Sequence, residues 1–173
     1  MKWSAHITLR ILAIDPFPKG LGFVVLEGPE QLLNWGTKTA KGDRNADCLR
    51  LADELMSVYR PDVIALEDHC GEGSRRHPRV QTLIQNLLVL ASSREIATRT
   101  FSRLVVIKAL AEYGARTKHQ IAVHIARRFP ELEPHLPARR KPWDSESERM
   151  SIFDAASLAL TLFDSNESTL GYP

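Results

Sequence analysis

Two hydrophobic rhythms run through the chain, one of short aliphatic blocks and one of apolar residues recurring every three or four positions, and they predict strands and helices respectively. His6–Ile14 (HITLRILAI) is apolar on both faces toward its end, as a strand covered on both sides would be, and it stops at Asp15-Pro16. Gly22–Leu26 (GFVVL) reads as a second strand after a Pro/Gly-punctuated turn, and the segment around Leu33–Thr39 as a third, giving a meander of hairpins. Asp43 or Asn45 caps a helix to about Tyr59, with Leu49, Ala52, Met56 and Tyr59 on one stripe, and Pro61 ends it.

Val63–Leu66 (VIAL) predicts a short buried strand that stops at Glu67, followed by a Gly/Arg-rich loop over Gly71–Arg76. Pro78 opens a long helix to about Thr98 whose Val80, Leu83, Ile84, Leu87, Leu88 and Ala91 form a surface broader than one sheet face needs, which points to a partner subunit. Leu104–Ile107 (LVVI) reads as another buried strand, and Thr117-x-x-Gln120 as a capping box for a helix over Lys118–Arg128. Pro130, Pro134, Pro137 and Pro142 make the next stretch a loop. Ser145-x-x-Glu148 repeats the capping signal for a last helix through Phe163, with 164–173 a mobile polar tail. The order β-β-β-α-β-α-β-α-α closes as a mixed α/β sheet with helices on both faces, one domain over residues 1–163.

A length of 173 residues with 43% hydrophobic and 25% charged content suits one core and excludes repeat arrays and disorder. No apolar run approaches the roughly 20 residues that cross a bilayer, so a cytoplasmic protein is expected. Cys48 and Cys70 form no C-x-x-C pair, which removes a disulfide framework and a structural zinc site. The net charge of +2 does not announce a nucleic-acid partner, but the distribution does. Arg75, Arg76 and Arg79, then Lys108, Arg116 and Lys118, then Arg139, Arg140 and Lys141 form three basic groups suited to a phosphate backbone.

Three acids are attached to apolar elements: Asp15 after the first strand, Glu67 after the fourth, and Asp154 inside Ile152–Leu160. A carboxylate near a low-dielectric core is costly unless cations or a metal compensate it. Each has a structural reading: Asp15 as a turn cap, Glu67 paired with Arg75 or Arg76, Asp154 beside a lysine. Taken together they predict one cluster, because parallel, adjacent first and fourth strands would bring Asp15 and Glu67 to the same sheet edge. Such oxygen clusters suit Mg²⁺ or Mn²⁺, and two ions about 4 Å apart can activate water and stabilise the leaving oxygen of a phosphodiester.

In these residues the chain resembles the RuvC-like Holliday junction resolvases of the RNase H-like superfamily. The resemblance lies in Ile11-Leu12-Ala13-Ile14-Asp15-Pro16 with Gly22, in Val63-Ile64-Ala65-Leu66-Glu67, in Gly114-x-x-x-Lys118-x-x-Ile121, and in Asp154-Ala155-Ala156-x-Leu158-Ala159, in family order over about Ile7–Phe163. It implies a five-stranded mixed sheet, a two-metal site of Mg²⁺ or Mn²⁺ held by Asp15, Glu67 and Asp154, and a homodimer that nicks branched DNA at two symmetric positions. Lys118, and less closely Lys108, match lysines that face the scissile region. Ser151 stands where resolvases usually carry an acid or histidine, and Glu148, two turns before Asp154, is a further candidate ligand beside its capping role. Phe17 replaces a common glycine, Cys70 an aromatic of some resolvases, and the proline-rich loop is long.

The function expected is metal-dependent cleavage of branched or structured DNA. An RNA-processing nuclease of the same fold and a catalytically weak nucleic-acid-binding relative are the alternatives. His69 reads as a loop histidine or a group orienting water or phosphate. His119 and His124 share no helical face, and Trp3, Trp35 and Trp143 read as packing residues or base-stacking platforms.

Overall fold

The structure is a computed structural model that describes residues 8–70 and 75–169. Its strands are β1 (Arg10–Phe17), β2 (Gly20–Glu27), β3 (Gln31–Thr39), β4 (Val63–Glu67) and β5 (Ala97–Phe101). The helices are α1 (Arg44–Tyr59), α2 (Pro78–Ser93), α3 (Arg103–Ala111), α4 (Lys118–Arg128) and α5 (Met150–Thr169), with a 3₁₀ turn at Pro130–His135. One five-stranded mixed sheet runs in the order β3-β2-β1-β4-β5. The first three strands pair antiparallel, whereas β4 lies parallel to β1 and β5 parallel to β4.

The pleat of β1 sorts its residues between two cores, because successive side chains point to opposite faces. Ile11 and Ala13 pack with α4 and α5, while Leu12 and Ile14 pack with α1 and α2. In β4, Ala65 joins the α5 face, and Ile64 and Leu66 join the other. The same alternation assigns Asp15 and Glu67 to the α5 face. The parallel register ends at Ala13↔Ala65, and two further steps set Asp15 beside Glu67.

The expected helix caps at Asp43 and Thr117 are present. The Asp43 side chain accepts from the Ala46 N–H at 3.0 Å, and Thr117 and Gln120 form the reciprocal capping box of α4. Elsewhere the boundaries move. Strand β1 extends through Asp15 to Phe17, and α2 stops at Ser93, leaving Ala97–Phe101 to form edge strand β5. The apolar run Leu104–Ile107 is not a strand but part of α3, whose N-terminus is capped by the Ser102 hydroxyl accepting from Val105 N–H. Periodicity cannot distinguish a short apolar run in a helix from one in a strand, and here Leu104 and Val105 remain exposed while Val106 and Leu110 are buried.

Helix α5 begins five residues after Ser145, at Met150, and no Ser145–Glu148 capping box forms. Instead Ser147 Oγ accepts from Arg149 N–H, and Ser151 Oγ donates to the Glu148 carbonyl at 2.6 Å. The helix continues past Phe163 to Thr169, so 164–169 is helical rather than tail, and 170–173 lie outside the described residues. Residues 6 and 7 of the expected first strand, Trp3, and 71–74 of the Gly/Arg-rich loop also lie outside them. No described helix is long and apolar enough to cross a membrane.

Most of the apolar surface of α2 is used within the chain. Val80, Leu83, Ile84, Leu87 and Ala91 are buried against the sheet and α1, with Leu88 packed partly beside them, and Val89 stays exposed.

Helix α5 is buried over nearly all of Met150–Phe163, lying across β1 and β2, and its close approach depends on Gly22. Gly22 pairs with Asp15 across the hairpin, and a Cβ added to it would lie 2.2 Å from Ser151 Oγ and 2.6 Å from the Ser151 carbonyl carbon. Because part of that obstacle is helix backbone, Gly22→Ala is expected to displace α5 and lower stability by about 1–3 kcal/mol, measured by urea denaturation. An unchanged midpoint would rule out this contact as a constraint on the position of α5.

Candidate active site

The three acids singled out by the sequence meet on the α5 side of the sheet. Asp15 and Glu67 arrive on adjacent parallel strands, Asp154 arrives on the second turn of α5, and all three line one cavity with Arg76, Arg103 and Lys118. Asp15 is 3% exposed and Glu67 9%, and such burial makes isolated negative charge costly.

Two side chains supply the compensation. Arg76 Nη2 faces Asp15 Oδ1 at 2.5 Å and also contacts Glu67 Oε2, Arg76 Nε donates to Glu67 Oε2 at 2.6 Å, and Nη1 donates to the Pro16 carbonyl at 2.8 Å. All three guanidinium nitrogens are therefore engaged, in the fork geometry that arginine offers carboxylates. Lys118, the first residue of α4, places Nζ 2.8 Å from Asp154 Oδ2 and in contact with Glu146.

Burial is the main cause that lifts the Asp15 pKa to about 7, against the pull of Arg76 and with Asp154 adding to the rise. Asp154 is raised for the same reason, with Lys118 opposing. Burial works against the Lys118 ammonium, but Asp154 and Glu146 outweigh it and hold its pKa above the ordinary lysine value. The charge of Asp15, opposed by burial and helped by Glu67, likewise keeps Arg76 firmly protonated.

The remaining sequence candidates divide. Arg76, expected among the phosphate contacts, is placed in the acid cluster, on Asp15, Glu67 and the Pro16 carbonyl. Arg79 is a brace, donating to Asn45 Oδ1 and to the Pro18 carbonyl at 2.8 Å each. Arg75, Lys108 and Arg116 are exposed, and Lys108 lines neither this cavity nor the groove beside it. That groove, about 880 Å³, contains Arg103, Lys118, Arg139, Arg140 and Arg149, and runs from Lys118 along the loop before α5. Lys141 is exposed on the same loop.

Glu148 lies 3.4 Å from Lys19 Nζ and lines a second cavity with Asp15, Ser151 and Asp154, at the rim of the acid cluster. The Ser151 hydroxyl is turned to the Glu148 carbonyl. His69 is half-buried next to Glu67, and its Nε2 has no hydrogen-bond partner among the described residues.

Arg103 and Glu146 were not candidates on sequence grounds. Arg103 immediately precedes Leu104–Ile107, whose composition predicts a strand and which forms part of α3, and Glu146 carries no sequence signal beyond an acid near Ser145.

The donor set suits a hard divalent cation, since Asp15, Glu67 and Asp154 offer only carboxylate oxygens. These oxygens do not all close within 4.8 Å of one another, and Arg76 bridges two of the groups. A cation shared by Asp15 and Glu67 must therefore compete with the guanidinium.

No family model matches the sequence, and no curated protein matches it. Solved structures do. The chain is similar to Thermus thermophilus RuvC, with a TM-score of 0.68 at 21% identity over 93% of this chain and 98% of that one. It is similar to T. thermophilus RuvC in complex with a Holliday junction substrate, with a TM-score of 0.68 at 19% identity over 93% and 97%. The yeast mitochondrial Holliday junction resolvase Ydc2 gives 0.62 at 13% identity over 94% and 81%. The chain has the RuvC-like, RNase H-like fold.

Two outcomes are expected from this electrostatic arrangement. Between the ordinary aspartate value and about 7, folded Asp15 holds a proton that the unfolded chain has released, so its contribution to stability falls as pH rises through that window. In chelator, Asp15→Asn is expected to remove this slope and to be more stable than the parent at pH 8, as read by thermal melts across pH; parallel pH profiles would contradict the shift. Arg76→Ala should bind Mn²⁺ more tightly by isothermal titration calorimetry, because it removes a competitor for Asp15 and Glu67. Weaker binding would instead assign Arg76 the task of holding the carboxylates in place.

Proposed function

We propose that this chain is a divalent-metal-dependent endonuclease that hydrolyses phosphodiester bonds in branched DNA, in the manner of a Holliday junction resolvase. The observation that carries the reading is the convergence of Asp15, Glu67 and Asp154, from three separated elements, in one cavity that opens beside a cationic groove. The fold shared with T. thermophilus RuvC and yeast Ydc2 supports it, and a RuvC structure in that comparison holds a Holliday junction.

Asp15, Glu67 and Asp154 would hold Mg²⁺ or Mn²⁺, with Glu148 at the rim as a further carboxylate. When bound, such ions polarise the phosphate, lower the pKa of water and stabilise the leaving oxygen. The chain's own groups provide the rest. Lys118, already fixed by Asp154 and Glu146, presents a positive charge at the mouth of the cavity where charge develops on the phosphate. Arg103, Arg139, Arg140 and Arg149 line the approach and suit backbone phosphates, with exposed Arg75, Arg116 and Lys141 flanking it. Arg79, tied to Asn45 and Pro18, orients the start of α2 and leaves DNA to its neighbours.

A homodimer through α2 belongs to the proposal, since two sites are needed for paired nicks. The exposed Val89 and half-buried Leu90 are the apolar groups that α2 offers a partner.

The test is cleavage of a labelled four-way junction, a linear duplex and a structured RNA with Mg²⁺ or Mn²⁺, alongside Asp15→Asn. Paired nicks in the junction that fall by more than about a hundredfold in the variant are expected. Binding without cleavage of any substrate would favour a non-catalytic nucleic-acid-binding protein, and cleavage of RNA alone would move the assignment to RNA processing.

A further inference from the structure

The loop between the 3₁₀ turn and α5 carries a feature that the acid cluster does not use. Trp143 is 78% exposed, the highest exposure among the large exposed hydrophobic side chains of the described residues. Leaving an indole in water forgoes the burial that normally fixes tryptophan in a fold. Yet the backbone beneath it is well determined by local chemistry. Lys141-Pro142-Trp143-Asp144 forms a turn in which Asp144 N–H donates to the Lys141 carbonyl at 3.0 Å, and Lys141 N–H donates to Asp144 Oδ2 at 3.2 Å. Proline in the second position pre-sets the backbone for such a turn. The indole is thus held outward on a braced tip.

The surroundings of that tip are cationic. Lys141 Nζ lies 5.7 Å from the Trp143 ring centroid, and Arg139 and Arg140 precede it, all exposed. Arg139, Arg140 and Asp144 line the groove that continues to Lys118, which contacts Asp154. An exposed aromatic face with Lys141 beside it, on the loop whose Arg139, Arg140 and Asp144 line a groove leading to the proposed phosphodiester-cleaving site, matches the needs of a nucleobase whose own phosphates lie along that groove. A paired base inside a duplex offers no free face, whereas an unpaired base at a branch point does.

We propose that Trp143 is a stacking platform for an unpaired base next to the scissile region, with Arg139, Arg140 and Lys141 holding the flanking phosphates. This rests on the reading of the acid cluster as a nuclease site, and it adds to that reading the element that distinguishes branched from fully paired DNA. Trp143 is a specificity residue and no part of the metal-binding or proton-handling set.

The experiment separates binding from cleavage by using the full chain carrying Asp15→Asn, with and without Trp143→Ala or Trp143→Phe. Affinities are measured for a four-way junction, for a duplex with a single-stranded arm, and for a linear duplex. Trp143→Ala should weaken the first two by about tenfold or more, with little change for the linear duplex, and Trp143→Phe should retain part of the difference. Tryptophan emission should be quenched by the junction in the Asp15→Asn protein, and that quenching should be absent in Trp143→Phe.

Junction affinity and quenching unchanged by either substitution would overturn the proposal while leaving the nuclease reading intact. An equal loss on all three substrates would also overturn it, by assigning the loop to backbone attraction alone. Loss of self-association in Trp143→Ala, followed by sedimentation, with junction affinity unaltered, would give the tryptophan to a protein interface and overturn it as well. Failure of the Asp15→Asn protein to bind any of the three nucleic acids would instead remove the reading on which the proposal depends.

Discussion

Negative charge held at the end of a buried sheet is the constraint that the remainder of this molecule accommodates. Asp15, Glu67 and Asp154 cannot all ionise in so little water unless positive charge is brought to them. The chain meets that requirement with two cations, each facing two acids: Arg76 between Asp15 and Glu67, and Lys118 between Asp154 and Glu146. Arg76 comes from the segment just before α2, and Lys118 from the first turn of α4. Both helices are therefore tied to the acid cluster by charge as well as to the sheet by apolar packing.

Much of this could be read from the residues themselves. Asp15, Glu67 and Asp154 were conspicuous because their neighbours are aliphatic, and an acid has no place beside Ile14 or Leu66 without a reason. Parallel, adjacent first and fourth strands, the condition under which Asp15 and Glu67 share a sheet edge, are present, and the Thr117–Gln120 capping signal located α4 and Lys118. What could not be read was long-range or ambiguous in period. Leu104–Ile107 has the composition of a buried strand, whereas edge strand β5 (ATRTF) is too polar to announce itself. A pairing of Arg76 with Glu67, nine residues away, is legible in the sequence, but nothing local reveals its second acid, Asp15, 61 residues away. Ser145 does not cap α5, which begins only at Met150, and it is Ser147 whose hydroxyl accepts from a backbone N–H there, that of Arg149.

The cations near the site fall into groups by what already holds them. Arg76 and Arg79 are locked by several hydrogen bonds to the chain itself, and so is Lys118 by two carboxylates. Arg139 and Arg140 line the groove while remaining exposed to solvent. Cations tied to the chain's own acids and carbonyls set the potential inside the cavity, and solvent-exposed ones are open to an outside polyanion, so clustering in sequence alone does not distinguish the two.

The position of α5 has a kinetic side. It follows every other element in the chain yet packs against the first strands, and it carries the last acid of the cluster. Contacts between segments so distant in sequence close late and slowly, because the loop entropy must be overcome before the packing rewards it. Until α5 docks, one face of the sheet stays uncovered and the acid set lacks Asp154. Acquisition of the complete acid cluster is thereby coupled to completion of the fold, so a partly folded chain would carry an exposed apolar face but not the full carboxylate set.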